Sequence, residues 1–179
     1  MVAPVNSSGA GAINIDQWLR DNAGRFKPPV SNAIVWPNED LMVQMLSGPN
    51  SRTDFHDDPY AEVFIQLKGD MVLRIVEDGR LRDVSVKEGD IYVCPAHVRH
   101  CPQRGAGTFG LVIEVQRKGE EIDAFEWYCP NCVHRVHRVE LELRDPEADA
   151  RRAGAIFQAF YRDIALRTCK RCGTIHPRP

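Results

Sequence analysis

The sequence predicts an all-β-dominated protein: a small β-barrel over residues 33–117, with a short helix before it and a cysteine-bearing segment after it. Three observations carry that prediction. Between Ala33 and Val115, short runs of Val, Ile, Leu and Phe alternate with charged residues and are punctuated by Gly and Pro. Alternation at such close, regular spacing marks half-buried strands of a sandwich or barrel rather than βαβ units. Helical periodicity is confined to the two ends of the chain, and four of the six cysteines fall in two CxxC pairs beyond the last strand run.

Met1 to Ile15 reads MVAPVNSSGAGAINI, with neither a basic start nor a continuous apolar stretch, and is expected to be a flexible leader over 1–15 rather than a secretory signal. Asp16 to Phe26 is a short amphipathic helix with Asp16 as its N-cap. Lys27-Pro28-Pro29 ends it, because the residue before proline avoids the α region. The strands follow. Val63, Ile65 and Leu67 alternate, Gly69-Asp70 intervenes, and Met71, Leu73 and Ile75 alternate again. Asp78-Gly79 is a type I′ hairpin signal. Val84 and Val86, then Ile91 and Val93, continue the pattern, and Leu111, Ile113 and Val115 close it. From Trp127 onward a strand-like stretch, Val136 to Leu143, precedes a helix around Ala148 to Leu166, on which Ile156, Phe160 and Ile164 recur every four residues. The division expected is a leader over 1–15, a barrel with its N-terminal helix over 16–125, and a C-terminal metal-binding segment with a helix over 126–179.

Composition excludes several function classes. Twenty-three basic against twenty-five acidic residues leave a formal net charge of −2 and no broad cationic field, so neither nucleic acid nor an anionic membrane is an expected partner. No apolar run reaches the roughly 18 residues that cross a bilayer. The expected location is the cytoplasm, where disulfide frameworks are uncommon. Cys129-Pro-Asn-Cys132 and Cys169-Lys-Arg-Cys172, separated by residues 133–168, therefore read as a metal site. Each CxxC offers two thiolates from one tight loop, and two loops complete a tetrahedron suited to zinc or iron. A redox CxxC is the rival, but it belongs with a βαβ context this chain lacks. His134, His137 and His176 lie near the cysteines and are expected to be solvated or to flank the site, not to ligate.

A second donor set lies in the barrel. His56, Glu62 six residues later, and His100 each stand beside the Gly and Pro of strand-to-turn junctions. If Val63, Ile65 and Leu67 face outward or into a second layer, then Glu62, Phe64 and Gln66 share the inward face, where a lone carboxylate is costly without a cation. Two imidazoles and one carboxylate leave the remaining positions open, an arrangement that suits non-haem Fe(II), although zinc or manganese fits the same donors. A lone histidine in a strand is more often a core or surface residue, and His97 is read that way. Glu114 interrupts the apolar run Leu111-Val-Ile-Glu-Val, where an inward carboxylate needs a reason.

The segments Gly48 to Gly69 and Gly89 to Arg104 resemble the two motifs of the cupin superfamily, with Asp58 where many members carry another histidine and His100, rather than His97, at the histidine position of the second motif. The resemblance implies a cupin-type jelly-roll barrel. It narrows further. Lys27-Pro-Pro-Val30, Val35-Trp36, Gly48-Pro-Asn50, Arg52-Thr-Asp54, Gln66-Leu-Lys-Gly69, Glu88-Gly-Asp90, Pro102-Gln-Arg104, Leu111-Val-Ile-Glu114 and Phe125-Glu-Trp-Tyr128 resemble the bacterial branch of the 3-hydroxyanthranilate 3,4-dioxygenase family, from about Trp18 to Pro177. That family opens the ring of 3-hydroxyanthranilate with O₂ to give 2-amino-3-carboxymuconate semialdehyde, which cyclises to quinolinate, in NAD biosynthesis or in tryptophan catabolism.

By position, the resemblance implies that His56, Glu62 and His100 hold Fe(II), that Glu62, Arg104 and Glu114 contact the small aromatic acid, and that Arg52 lies where O₂ binds. It implies a second, rubredoxin-like iron, with zinc the alternative, at Cys129, Cys132, Cys169 and Cys172. The chemistry agrees: an arginine offers a carboxylate a planar bidentate partner, a glutamate accepts a phenol proton or holds an amine, and a cation beside O₂ stabilises developing charge. Cupin barrel edges often pair, which makes a homodimer the expected state by fold-level analogy. Ala61-Glu-Val-Phe-Ile65 and Cys101 depart from common family residues, which leaves the ring substituents open. The competing readings are a related dioxygenase for another aminophenol or hydroxybenzoate, a non-oxidative metal-dependent cupin, and an aromatic-acid sensor. Cys94 and Cys101 flank Pro95 and His100 and are candidates for oxidation if exposed.

Overall fold

Eleven strands, all paired antiparallel, form two sheets in the computed structural model, which describes residues 11–26, 31–37 and 40–179. One sheet runs β1 (Ser31–Pro37), β2 (Leu41–Ser47), β9 (Phe109–Val115), β4 (Glu62–Lys68), β7 (Ile91–Cys94). The other runs β11 (Arg135–Leu141), β10 (Asp123–Tyr128), β3 (Phe55–Asp57), β8 (Arg99–Arg104), β5 (Met71–Glu77), β6 (Arg80–Val86). The expected alternation holds on β4: Glu62, Phe64 and Gln66 are buried, while Val63, Ile65 and Leu67 lie half-buried on the opposite face. Between the sheets Phe64, Met71, Leu73, Ile75, Val86, Cys94 and Val112 form the inner core. Asp78 and Gly79, both with positive φ, make the two-residue connection of the β5–β6 hairpin as expected.

The second layer is the N-terminal helix, α1 (Ile15–Asn22), followed by a 3-10 turn over Ala23–Arg25. Its Trp18 packs with Ala33, Val35, Met45 and Leu111, and Ile65 and Leu67 of β4 lie against the same cluster. The helix is capped by Asn14, whose side chain accepts from the Gln17 amide, and not by Asp16, which falls inside the first turn. An Asn one residue before the helix reaches an orphan amide that Asp16 cannot. Ile13 and Ile15, from the expected leader, pack on this cluster. Residues 1–10 and the Lys27–Pro29 helix stop lie outside the described residues.

The C-terminal segment extends the second sheet, since β10 pairs with both β3 and β11. The long helix predicted there is two helices, α2 (Pro146–Arg162) and α3 (Ile164–Arg167). Asp163 takes an extended conformation and its side chain accepts from the Ala165 and Leu166 amides, so it caps a new helix instead of continuing the old one. Ile164, expected on the apolar face, is accordingly 58% exposed. Phe160 of α2 stacks on Trp127 at 4.3 Å between ring centroids, and Arg138 of β11 reaches Asp57 at 2.6 Å. Those contacts seat the segment against the strand that carries His56.

Candidate functional site

His56 and His100 are direct cross-strand partners on β3 and β8 of one sheet, whereas Glu62 opens β4 of the other. The three donors therefore meet across the gap between the sheets. Glu62 places Oε1 3.2 Å from His56 Nδ1 and Oε2 3.0 Å from His100 Nε2. Two donors each about 2.1 Å from one ion and at a right angle to it are about 3.0 Å apart, so the spacing fits a shared divalent cation. Glu62 and His100 are both 3% exposed. Burial opposes the charge on His56, yet the Asp123 and Glu62 carboxylates raise it to about 10. Burial pushes the Glu62 carboxyl up, but the two imidazoles hold it well below its ordinary range. A buried carboxylate kept charged by two imidazoles, with its oxygens facing both, is a donor set that could hold a divalent cation.

The ring orientations are fixed from behind. His100 donates from Nδ1 to the Val98 carbonyl at 2.9 Å, which leaves Nε2 toward Glu62. His56 Nε2 lies 2.8 Å from Asp123 Oδ1, which leaves Nδ1 toward Glu62. Such outer partners set the tautomer of ligating histidines. His97 is elsewhere: its side chain is 61% exposed, Nδ1 lies 3.1 Å from Asp57 Oδ1, and the residue occupies the left-handed region at φ 62°.

The remaining candidates differ in what engages them. Glu114 on β9 accepts from Gln44 Nε2 at 2.6 Å, and burial beside Glu62 pushes its carboxyl up to about 8. Oxygens of Asp58, Glu62 and Glu114 lie within 4.8 Å of one another. Arg104 is 4% exposed and donates from Nη1 to Gln66 Oε1 at 2.8 Å, while Nε and Nη2 have no hydrogen-bond partner among the described residues. Burial lowers the Arg104 guanidinium to about 10. Arg52 is committed to Asp54, with Nε and Nη2 3.1 and 2.5 Å from Oδ2, and its guanidinium carbon lies 5.9 Å from the centre of the Phe157 ring.

Three residues of this site escape the sequence reading. Arg117 is 7% exposed, with Nη2 2.6 Å from Asp58 Oδ2 and 2.7 Å from Asp123 Oδ1. Asp123 backs His56, and Gln44 backs Glu114. Gln44 was detectable in principle, since it interrupts the run Leu41-Met-Val-Gln-Met-Leu46 as Glu114 interrupts its own. It faces Val112 in the strand register, and Glu114 is the diagonal neighbour.

The four cysteines converge as well. Sγ–Sγ separations are 3.5 Å for Cys129–Cys172, 3.7 Å for Cys132–Cys169 and 3.5 Å for Cys132–Cys172. A tetrahedron with metal–sulfur bonds of about 2.3 Å has edges of about 3.8 Å, whereas a disulfide needs about 2.05 Å. The two loops are built alike: the Val133 amide donates to Cys129 O and the Gly173 amide to Cys169 O, both at 2.9 Å. Cys94 and Cys101 are each 1% exposed, and burial with the nearby Asp54 pushes the Cys101 thiol up to about 12.

Residues 7–161 match the model of a family described as 3-hydroxyanthranilic acid dioxygenase. A 3-hydroxyanthranilate 3,4-dioxygenase of Shewanella woodyi is 51% identical over 95% of this chain and 89% of its own length. One from Ruegeria pomeroyi is 50% identical over 93% of this chain and 91% of its own. Among solved structures, a cupin-2 domain containing protein from Shewanella frigidimarina is 20% identical, with a TM-score of 0.45 over 59% of this chain and 95% of that one.

Proposed function

The chain belongs to the 3-hydroxyanthranilic acid dioxygenase family, and from that membership we propose that His56, Glu62 and His100 hold one Fe(II) ion at the barrel centre. The reaction is the ring cleavage of 3-hydroxyanthranilate by O₂ to 2-amino-3-carboxymuconate semialdehyde, the precursor of quinolinate. The metal, when bound, would bind the ortho phenol and amine of the substrate and relay electrons from the aromatic ring to O₂.

The observation that carries the reading is the buried guanidinium of Arg104, whose Nε and Nη2 lack acceptors among the described residues. Leaving a buried charged donor unpaired is costly, and the ring carboxylate of the substrate provides the missing acceptors in planar, bidentate form. Glu114, with one oxygen held by Gln44, takes the phenol proton or holds the amine. Arg52, fixed by Asp54, offers positive charge where O₂ is reduced. Glu62 serves both as ligand and as a wall of the substrate site.

Cys129, Cys132, Cys169 and Cys172 hold a second iron, rubredoxin-like, with zinc as the alternative tenant, and this site staples α2 and β11 onto the barrel. The division into a leader over 1–15, a barrel over 16–125 and a stapled segment over 126–179 goes with that reading. Among the described residues no helix is long and apolar enough to cross a membrane. The balanced charge of the chain fits a protein that engages neither nucleic acid nor membrane, and a cytoplasmic homodimer goes with the reading by fold-level analogy.

The test mixes anaerobically Fe(II)-loaded protein with 3-hydroxyanthranilate and air, following O₂ uptake and the near-ultraviolet absorbance of the ring-opened product. Stoichiometric uptake with product formation is the expected result. Substrate binding without uptake sinks the assignment of substrate, and a panel of substituted aminophenols then identifies the proper one.

A further inference from the structure

We propose that Arg117 holds Asp58 away from the barrel metal and thereby keeps a coordination position free for the substrate; the inference rests on the reading of His56, Glu62 and His100 as the metal ligands. Asp58 follows His56 by two residues and is 2% exposed. It has a carboxylate oxygen within 4.8 Å of donor atoms of His56 and Asp123, and likewise of Glu62 and Glu114. A carboxylate this close to two of the three ligands is, by residue type and position, a ready fourth ligand.

Its two oxygens are held differently. Oδ1 accepts from the Tyr60 amide at 2.7 Å, whereas Oδ2 makes no hydrogen bond among the described residues and is held by the charge of Arg117, whose Nη2 lies 2.6 Å away. Arg117 has little freedom to release it. Nε and Nη2 donate to Asp123 at 3.0 and 2.7 Å, Nη1 donates to the Val115 carbonyl at 2.6 Å, and the guanidinium carbon lies 5.8 Å from the centre of the Tyr60 ring. Tyr60 is anchored in turn, its hydroxyl donating to Glu121 at 2.6 Å. For Asp58 to turn toward the metal, a buried guanidinium must give up one of its counter-charges, and separating a buried pair is strongly unfavourable. Asp123, on the same guanidinium, is spent on His56. The chain thus presents two imidazoles and one carboxylate, and the vacancy a fourth ligand would fill stays available for a chelating substrate. Arg117 touches no substrate in this scheme. It is a positioning residue.

The test uses the full-length protein with the four-cysteine site prefilled with Zn(II) and the barrel loaded with Mn(II). Water-proton relaxation counts exchangeable waters on the Mn(II), chelator competition gives its affinity, and anaerobic titration gives the affinity for 3-hydroxyanthranilate. Arg117→Met frees Asp58, so it should lose about one exchangeable water, keep its metal, and bind the substrate roughly tenfold or more weakly. Adding Asp58→Asn to that variant should restore the water and most of the substrate affinity. A packing role for Arg117 gives the reverse, a double variant no better than the single one, and overturns the proposal. Asp58→Asn alone should leave the water count and the metal affinity within roughly twofold of the parent. If it instead loses roughly tenfold or more in metal affinity, Asp58 is already a ligand and the proposal fails, a result that decides the matter even if Arg117→Met does not fold. Retention of the barrel metal by His100→Ala identifies the other failure, that of the ligand reading itself.

Discussion

Arg104 Nη1 and Gln66 Oε1 are joined by a 2.8 Å hydrogen bond inside the barrel, and Gly110 leaves the space that this pair occupies. A Cβ on Gly110 would stand 2.8 Å from Gln66 Oε1, 2.9 Å from Arg104 Nη1 and 3.0 Å from the Ile65 carbonyl. The glycine therefore makes room for Arg104, the residue proposed to bind the substrate carboxylate, although it carries no side chain.

Two variants should separate substrate affinity from metal binding. Arg104→Lys keeps the charge but loses the planar fork, and should raise KM for 3-hydroxyanthranilate roughly 10- to 100-fold, the equivalent of one charge-assisted bidentate contact. Gly110→Ala should act in the same direction by displacing the guanidinium, with barrel iron content unchanged. Steady-state kinetics alongside metal analysis checks both. Loss of iron in either variant places Arg104 in the metal site rather than the substrate site.

The two histidines of the β7–β8 region should differ completely. His100 meets Glu62 at 3.0 Å, whereas His97 is exposed in a turn and paired with Asp57. His100→Ala should abolish iron binding in the barrel, and His97→Ala should keep iron and most activity. Iron analysis of variants whose four-cysteine site is separately quantified decides it, and an iron-free His97 variant would reverse the assignment.

Val133 and Gly173 hold corresponding positions in the two cysteine loops, with φ of 56° and 75°. A β-branched residue in the left-handed region costs about 1–3 kcal/mol, while glycine in its place gives back about 0.5–1 kcal/mol as unfolded-state entropy. Val133→Gly should therefore stabilise the protein by about 1 kcal/mol, or about 2–4 °C in Tm at this chain length. Gly173→Val should destabilise it. Differential scanning calorimetry of the metal-loaded protein measures both, and a lowered Tm for Val133→Gly means that side-chain packing of Val133 outweighs its backbone strain.

Much of the site was legible because strand alternation is a local code. Once Val63, Ile65 and Leu67 are read as one face, Glu62, Phe64 and Gln66 must share the other, and the buried Glu62 then asks for a cation. The CxxC loops are equally local, since each pair of thiolates comes from one turn. Arg117 and Asp123 were not legible, because their roles depend on which strands meet. Arg117 finds Asp58 only through the barrel closure, and Asp123 reaches His56 only because β10 pairs with β3. Helix boundaries failed for a different reason. Asn14 and Asp163 are side chains that compete for backbone amides, and single-residue competition of that kind outweighs an apolar period.

The last prediction concerns acid stability of the C-terminal segment. His137 lies against Phe160, with ring centroids 5.8 Å apart and planes 14° from parallel, and His176 meets the same ring edge-on at 5.3 Å. Burial lowers both imidazoles below the ordinary 6.5. A histidine depressed in the fold binds its proton more readily when unfolded, so the stabilisation it contributes is complete above about 6.5 and is lost as pH falls toward the folded-state value. Acid also protonates the metal-binding thiolates, so the two causes must be separated. Thermal unfolding at pH 7.5 and 5.5 should show a loss in the parent protein that is smaller in His137→Phe combined with His176→Gln, with the four-cysteine metal retained in both. An equal loss in parent and variant would assign the acid sensitivity to the thiolates alone.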